Sequence, residues 1–202
     1  MSRTDYRDAA KRNSLSSDYA LNRSVLLSGG YLMVTTRPVE ARDMDRFQSY
    51  VRGLSPESRR NRFLGALNEL SLAELKRLTD LDCVRSAMLI AEAQICGVPR
   101  MIGEARYAMI GDRCEVALSV SDSWQRRGLG SALLEILESC ARGLDAREIV
   151  AEGFHSNEAI KRLTIKFGFA IRPIVRDARL MRMVKTIRPH AFGGSSPSLV
   201  AA

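Results

Sequence analysis

The chain has 202 residues, 46% hydrophobic and 27% charged, with 31 Lys and Arg against 23 Asp and Glu for a net charge of +8. That length suits one domain with a full core plus tails, and the composition excludes fibrous and low-complexity classes. No stretch approaches the apolar length of a membrane span. The N-terminus carries Asp5 and Asp8 and has no apolar core, so it is not a secretory signal, and a cytoplasmic location is expected. Cys83, Cys96, Cys114 and Cys140 form no Cys-x-x-Cys pair, and His155 and His190 stand apart. No metal is therefore expected, and thiols are expected to be reduced.

In chain order, residues 1–29 are polar, end in Ser28-Gly29-Gly30 and read as a mobile tail. Residues 31–36 read as a strand closed by Pro38. Residues 41–51 read as a short helix with Met44, Phe47 and Val51 at helical spacing. Ser55 caps a second helix with Pro56 at its first position, and residues 71–78 make a third. Residues 87–95, 101–110 and 114–120 read as three strands in hairpin order, turning through Gly97-Val98-Pro99 and Gly111-Asp112. Leu129, Ala132, Leu133, Ile136, Leu137 and Cys140 recur at three- and four-residue steps, the apolar stripe of a helix on a sheet. Residues 148–154 form a strand reached through that helix and are expected parallel to the strand before it. Asn157 caps a last helix ending at Gly168. Residues 169–175 and 180–187 form a closing hairpin, and 190–202 read as a disordered tail. The domain is thus expected over 30–189.

Between the strand ending at Val120 and the amphipathic helix lies Gln125-Arg126-Arg127-Gly128-Leu129-Gly130. A glycine turn opening a helix presents backbone N–H groups to an anion, and side-chain-free positions let phosphates approach. This stretch resembles the coenzyme A pyrophosphate loop, Gln/Arg-x-x-Gly-x-Gly/Ala, of the GNAT superfamily of N-acyltransferases. Cys114 to Val120 is similar to the family's fourth strand. Asn157, Leu163, Lys166, Gly168 and Phe169 match a later family segment, in which Ile160 replaces the usual Ala and Thr164 the usual Tyr. Arg37-Pro38, Leu54-Ser55-Pro56-Glu57-Ser58-Arg59 and Arg62-Phe63 resemble the opening of the GNAT domain in bacterial protein-lysine acetyltransferases. The resemblance covers residues 31–187.

The resemblance implies an α/β (α+β) GNAT fold. Its mixed, mostly antiparallel sheet has about seven strands flanked by helices, with the fourth and fifth strands parallel and splayed. It also implies acetyl-CoA as cosubstrate. Gln125, Arg126, Arg127, Gly128, Leu129, Gly130 and Ser131 would hold its pyrophosphate, and Leu118, Ser119 and Val120 its pantetheine arm. A bulge near Ser119 would open the strand edge. Asn157 would reach the cofactor or serve only as a helix cap.

Transfer of an acetyl group to an amine needs a neutral amine, whereas a free lysine titrates near ~10.4. A general base must take the proton. Strand alternation puts Glu115, Ala117 and Ser119 on one face, and Glu115 is the first candidate. Glu104, sharing a face with Arg106 on the preceding strand, is the second. Either acid could instead pair with an arginine on the surface. Trp124 has no acid–base role and reads as packing.

The leading reading is an acyl-CoA-dependent N-acetyltransferase acting on a primary amine, with protein lysine favoured over a small-molecule amine. The alternative is a catalytically weak acyl-CoA sensor. Arg172, Arg176, Arg179, Arg182, Lys185 and Arg188 face only Asp177 in the local sequence. They are read as a solvated strand face or as attraction for CoA or an acidic partner. No nucleic-acid motif accompanies them, and neither nucleic acid nor membrane is expected as a partner. Monomer and homodimer both remain open.

Overall fold

The structure, a computed structural model, describes residues 23–26 and 33–187. Strand periodicity accounts for its central sheet. The strands are β1 (Arg23–Leu26), β2 (Met33–Pro38), β3 (Ser86–Ile95), β4 (Val98–Ile110), β5 (Arg113–Val120), β6 (Glu148–Phe154), β7 (Ala170–Pro173) and β8 (Leu180–Thr186). They lie in the order β1-β2-β3-β4-β5-β6-β8-β7, and every neighbouring pair is antiparallel except β5 and β6. The sheet has one strand more than expected. Arg23–Leu26, inside the stretch read as a tail, pairs with β2. Residues 1–22 and 27–29, the rest of that expectation, and the expected C-terminal tail fall outside the described residues, as do Tyr31 and Leu32.

Alternation along β3 builds two cores. Ala87, Leu89, Ala91 and Ala93 face helix α4 (Leu129–Gly143), which buries Leu129, Leu133, Ile136 and Leu137 against them. Met88 and Ile90 face the other way, onto Phe47 and Val51 of α1 (Met44–Gly53) and Leu75 and Leu78 of α3 (Leu72–Thr79). Helix α2 (Pro56–Phe63) buries no side chain fully, and its starting point is set by a cap. Ser55 Oγ accepts from Ser58 N at 3.1 Å, with Pro56 at the first position, as the sequence predicts. Ser71 and Glu74 close a capping box on α3. Asn157 Oδ1 accepts from Ile160 N at 3.1 Å to start α5 (Glu158–Lys166).

Two turn details differ from the sequence reading. The β3–β4 turn is Cys96-Gly97, both with positive φ (51° and 76°), and Val98 and Pro99 already lie in the strand. Two left-handed residues match the right-handed twist of a tight hairpin better than a longer loop does. The expected bulge near Ser119 is absent, since β4 and β5 pair without interruption from Ile110↔Arg113 to Gly103↔Val120. The irregularity lies on β4, where Ile102 is the extra residue between Ala91↔Gly103 and Glu92↔Met101. It lets Ile102 and Gly103 both turn to the α4 core, where a Cβ on Gly103 would meet Leu129 Cδ2 at 3.3 Å.

Arg37 knits β2 to the turn before α1. Its guanidinium holds Asp43 through both carboxylate oxygens (2.7 and 2.8 Å) and Glu92 at 2.9 Å, and Arg46 joins both acids. The hydrogen bonds from Arg37 outweigh burial and hold the Asp43 carboxyl down to about 2. A depressed carboxyl stabilises the fold above its ordinary range and loses that contribution as pH falls toward its folded value. Urea melts of the wild type are therefore expected to lose stability between about pH 4 and pH 2 more steeply than those of Asp43→Asn. Parallel pH profiles would rule out this linkage.

Candidate active site

The loop between β5 and α4 is shaped by two left-handed residues. After a 3₁₀ turn at Asp122–Trp124, Arg126 has φ 59° and Gly128 has φ 91°. Gly128 is the residue preceding helix α4, and its φ is one that only glycine adopts without strain. Helix hydrogen bonding begins with Ala132 N donating to Gly128 O at 3.1 Å. The preceding N–H groups have no partner within the helix, and they point out at the positive end of its dipole. The first turn contains no acid. A Cβ on Gly130 would meet only Leu163 Cδ2, at 3.7 Å, so Gly130 is not forced by packing. The donors fit a phosphate-bearing ligand.

Next to this loop the parallel pair comes apart. The β5–β6 ladder has three pairs and ends at Glu115↔Val150, although β5 runs on to Val120 and β6 to Phe154. The facing edges beyond that point border a cleft of about 550 Å³. Of the residues expected to hold the cofactor, Leu118, Ser119, Val120, Gln125, Arg126, Gly128, Gly130, Ser131 and Asn157 line it. Two do not. Leu129 is buried in the α4 core, and exposed Arg127 lies over the Trp124 ring at 5.2 Å. Gln125 Nε2 donates to Val120 O at 3.1 Å, tying the loop to the open strand edge. The cleft, the free strand edge and the electropositive loop together fit an extended arm ending in a pyrophosphate.

Helix α2 forms the opposite wall, fixed by an acid the sequence reading did not single out. Asp122 accepts from Ser55 N (2.9 Å), Ser55 Oγ (2.7 Å) and Ser58 Oγ (2.7 Å). Burial opposes the charge on Asp122, but these bonds prevail and hold its carboxyl below the usual range. Arg60 adds a cation–π contact over Phe154, 3.9 Å from the ring centroid. The recurrence of Ser at 55 and 58 before a basic helix signalled a cap; its partner, 67 residues away, could be found only in three dimensions.

The two candidate acids occupy different settings. Glu104 is 1% exposed; Arg62 binds both its oxygens (2.5 and 3.0 Å), and Ser119 donates to it at 2.6 Å. The Tyr50 hydroxyl lies 3.0 Å from Ser119 Oγ, and burial followed by the Glu104 charge pushes the Tyr50 phenol up. Burial likewise works against the charge on Arg62, yet Glu104 raises it on balance. Glu115 is exposed and lines a second groove of about 520 Å³ with Arg106, Arg77 and Leu67. At about 3.3 Å per residue it stands ~13 Å along the strand from Ser119, beside the point where β5 and β6 part. The two clefts share Arg62, Val116, Ala117, Ala151 and Glu152.

Thr164 is 1% exposed and donates to Ile160 O at 2.8 Å and Lys161 O at 3.2 Å, so its hydroxyl is tied to its own helix. Burial pushes the Cys114 thiol up to about 12, which leaves no thiolate there. The closing hairpin is less exposed in charge than the local sequence implies. Arg179 pairs with Asp177 (2.7 Å), Arg182 with Glu152 (2.7 Å) and Lys185 with Glu138 (2.5 Å), and Arg188 lies outside the described residues. Strand order brings Glu152 and the α4 face beside β8, which sequence distance conceals. No group of His, Cys, Asp and Glu suited to a metal occurs among the described residues, and none of their helices is long and apolar enough to cross a membrane.

Comparison with known proteins decides the family. The acetyltransferase PA5475 of Pseudomonas aeruginosa is 33% identical over 138 residues, which span 67% of this chain and 74% of that protein. The chain belongs to the GNAT family of acetyltransferases. Residues 85–171 match the family model described as Acetyltransferase (GNAT) domain. The crystal structure of the GNAT domain of S. lividans PAT superposes with a TM-score of 0.74 at 28% identity, covering 83% of this chain and 97% of that one. RimL, a ribosomal alpha-N-protein acetyltransferase solved in complex with coenzyme A, shares the fold at 14% identity (TM-score 0.63, 82% of this chain and 98% of that one). The GNAT acetyltransferase is thus an acyl-CoA-dependent N-acetyltransferase.

Two outcomes are expected from the loop and helix α5. Gly128→Glu places bulk and negative charge where the loop N–H groups converge, and calorimetry is expected to show loss of CoA binding in a protein with an unchanged CD spectrum. Retained affinity would move the phosphate site elsewhere. Thr164→Ala removes only a back-bond to the helix, so turnover is expected within about tenfold of wild type, below the usual share of a general acid.

Proposed function

We propose that this enzyme acetylates the side-chain amine of a protein lysine, with acetyl-CoA in the splayed cleft, the lysine in the second groove and Glu115 as general base. The observation that carries this is the shared lining of the two clefts at Val116, Ala117, Ala151 and Glu152, beside Glu115. Acetyl-CoA supplies the activated acetyl group as a thioester; as the amine nitrogen bonds to its carbonyl carbon the C–S bond breaks, and coenzyme A leaves as a thiolate that takes a proton from water. The loop from Gln125 to Ser131 binds its phosphates, with Asn157 and the cleft edge at Leu118, Ser119 and Val120 orienting the arm. Backbone N–H groups along that unpaired edge are placed to receive the carbonyl oxygen as charge develops on it. Glu115 makes no ion pair among the described residues, so its oxygens are free to accept the amine proton. Both oxygens of Glu104 are already occupied. We assign Glu104 to holding Arg62 and Ser119 at the floor of the cleft.

A lysine on a protein surface suits the open second groove, whose wall is the irregular segment 64–70 after α2. A small-molecule amine is the second reading, supported by the same opening. Free cysteines throughout fit a cytoplasmic enzyme.

Glu115→Gln is expected to lower kcat by about 10²–10⁴-fold with little change in CoA affinity, the usual size of a general-base contribution. A loss of that size in Glu104→Gln alone would transfer the role to Glu104.

A further inference from the structure

The second groove carries more positive charge than its own carboxylates balance. Five arginines line it, at positions 62, 77, 106, 113 and 182, against Glu74, Glu115 and Glu152. Most of these are already paired. Arg62 is matched by Glu104, Arg182 by Glu152 at 2.7 Å and Arg113 by Glu148 at 3.5 Å, while Glu74 is engaged in its capping box with Ser71. What remains is Arg77 and Arg106 facing Glu115. Arg106 is half-buried, and among the described residues its guanidinium has no hydrogen-bond or ion-pair partner. Burial, then the charges of Arg62 and Arg77, push its pKa down, against the opposing charges of Glu104 and Glu115. A half-buried guanidinium beside two others is an electrostatic cost that a bound carboxylate would remove.

We propose that Arg106, with Arg77, binds carboxylates flanking the acceptor lysine, so that the enzyme selects lysines in acidic segments. The inference rests on the reading that the acceptor enters this groove. The placement explains two needs together. Arg106 stands opposite Ala117 and diagonal to Glu115 on the neighbouring strand, so an anion on its guanidinium lies beside the base. The same cations repel a lysine ammonium and favour the neutral amine that attacks. A lysine with neutral neighbours meets only that repulsion; one with acidic neighbours is drawn in by them.

The test uses two blocked pentapeptides, Gly-Glu-Lys-Glu-Gly and Gly-Gln-Lys-Gln-Gly, with the full chain. Turnover with acetyl-CoA gives kcat/KM, and calorimetry in the presence of CoA gives peptide binding independently. The wild type is expected to favour the acidic peptide by about tenfold or more at low salt, chiefly in KM, as for one charge-assisted hydrogen bond. That preference is expected to shrink at high salt. Arg106→Gln is expected to bring the ratio near one, Arg106→Lys to keep part of it, and Arg147→Gln, which precedes β6, is outside the groove lining and pairs with Asp112, to leave it intact. Should Arg106→Gln misfold, Arg106→Lys and Arg77→Gln carry the comparison. Equal use of both peptides, or a preference that survives Arg106→Gln, overturns this inference while leaving lysine acetylation standing. Neither binding nor turnover of either peptide removes both. Arg106-dependent acetylation of free lysine with no use of either peptide reassigns the carboxylate to a small acceptor and overturns the proposal.

Discussion

The parting of β5 from β6 is the constraint on which the rest of this structure depends. Two parallel strands that pair for three residues and then separate leave backbone donors and acceptors facing a gap. A buried backbone group without a partner costs about 1–3 kcal/mol, so such a gap persists only if it opens to water or ligand and if something holds its edges apart. Here the edges are held from outside. Strand β4 completes β5 without interruption, and β8 completes β6 along its whole length. Helix α2 is fastened across the gap by Asp122 at one end and by Arg60 on Phe154 at the other. The sheet therefore keeps its integrity while presenting one pair of unsatisfied edges.

That geometry also determines where charge is placed. The positive end of α4 and the left-handed turn before it lie at the wide mouth of the splay, a setting suited to a phosphorylated ligand. At the floor, Arg62, Glu104, Ser119 and Tyr50 form a closed hydrogen-bonded set. Such a set is stable in a low-dielectric interior because each member satisfies another, and removing one would strand its partners. At the narrow end the second groove begins, with its partly uncompensated arginines. The proposed acceptor route and the proposed cofactor cleft share walls, which would confine the chemistry to a few residues at the apex.

The elements of the fold were largely legible in the sequence. The stripe of Leu129, Leu133, Ile136 and Leu137 predicts α4, and Ser55-Pro56 and Asn157 predict helix starts, because these signals act over one or two turns of chain. The β3–β4 turn begins one residue earlier than the sequence suggests, since Cys96 gives no sign that it takes positive φ. Strand β1 is not legible in the sequence because a four-residue strand within a polar stretch has too little periodicity to stand out. The bulge on β4 is hidden in the sequence for a similar reason. Alternation on β5 is unbroken, and the extra residue on β4, Ile102, is apolar like its neighbours.

The sequence by itself determined the glycine loop, the helix it opens, the faces of β4 and β5, and membership of a family that uses CoA. These are properties of short segments, set by backbone stereochemistry and side-chain period. Only the tertiary structure decided which charges meet. Glu104 and Glu115 read alike as strand acids, yet one is locked against Arg62, 42 residues away, and the other opens onto a groove. Arg182 and Lys185 read as free cations until β6 and α4 brought Glu152 and Glu138 to them. Coulomb and hydrogen-bond energies depend on distance through space and on local burial, and neither quantity is written in the order of the residues.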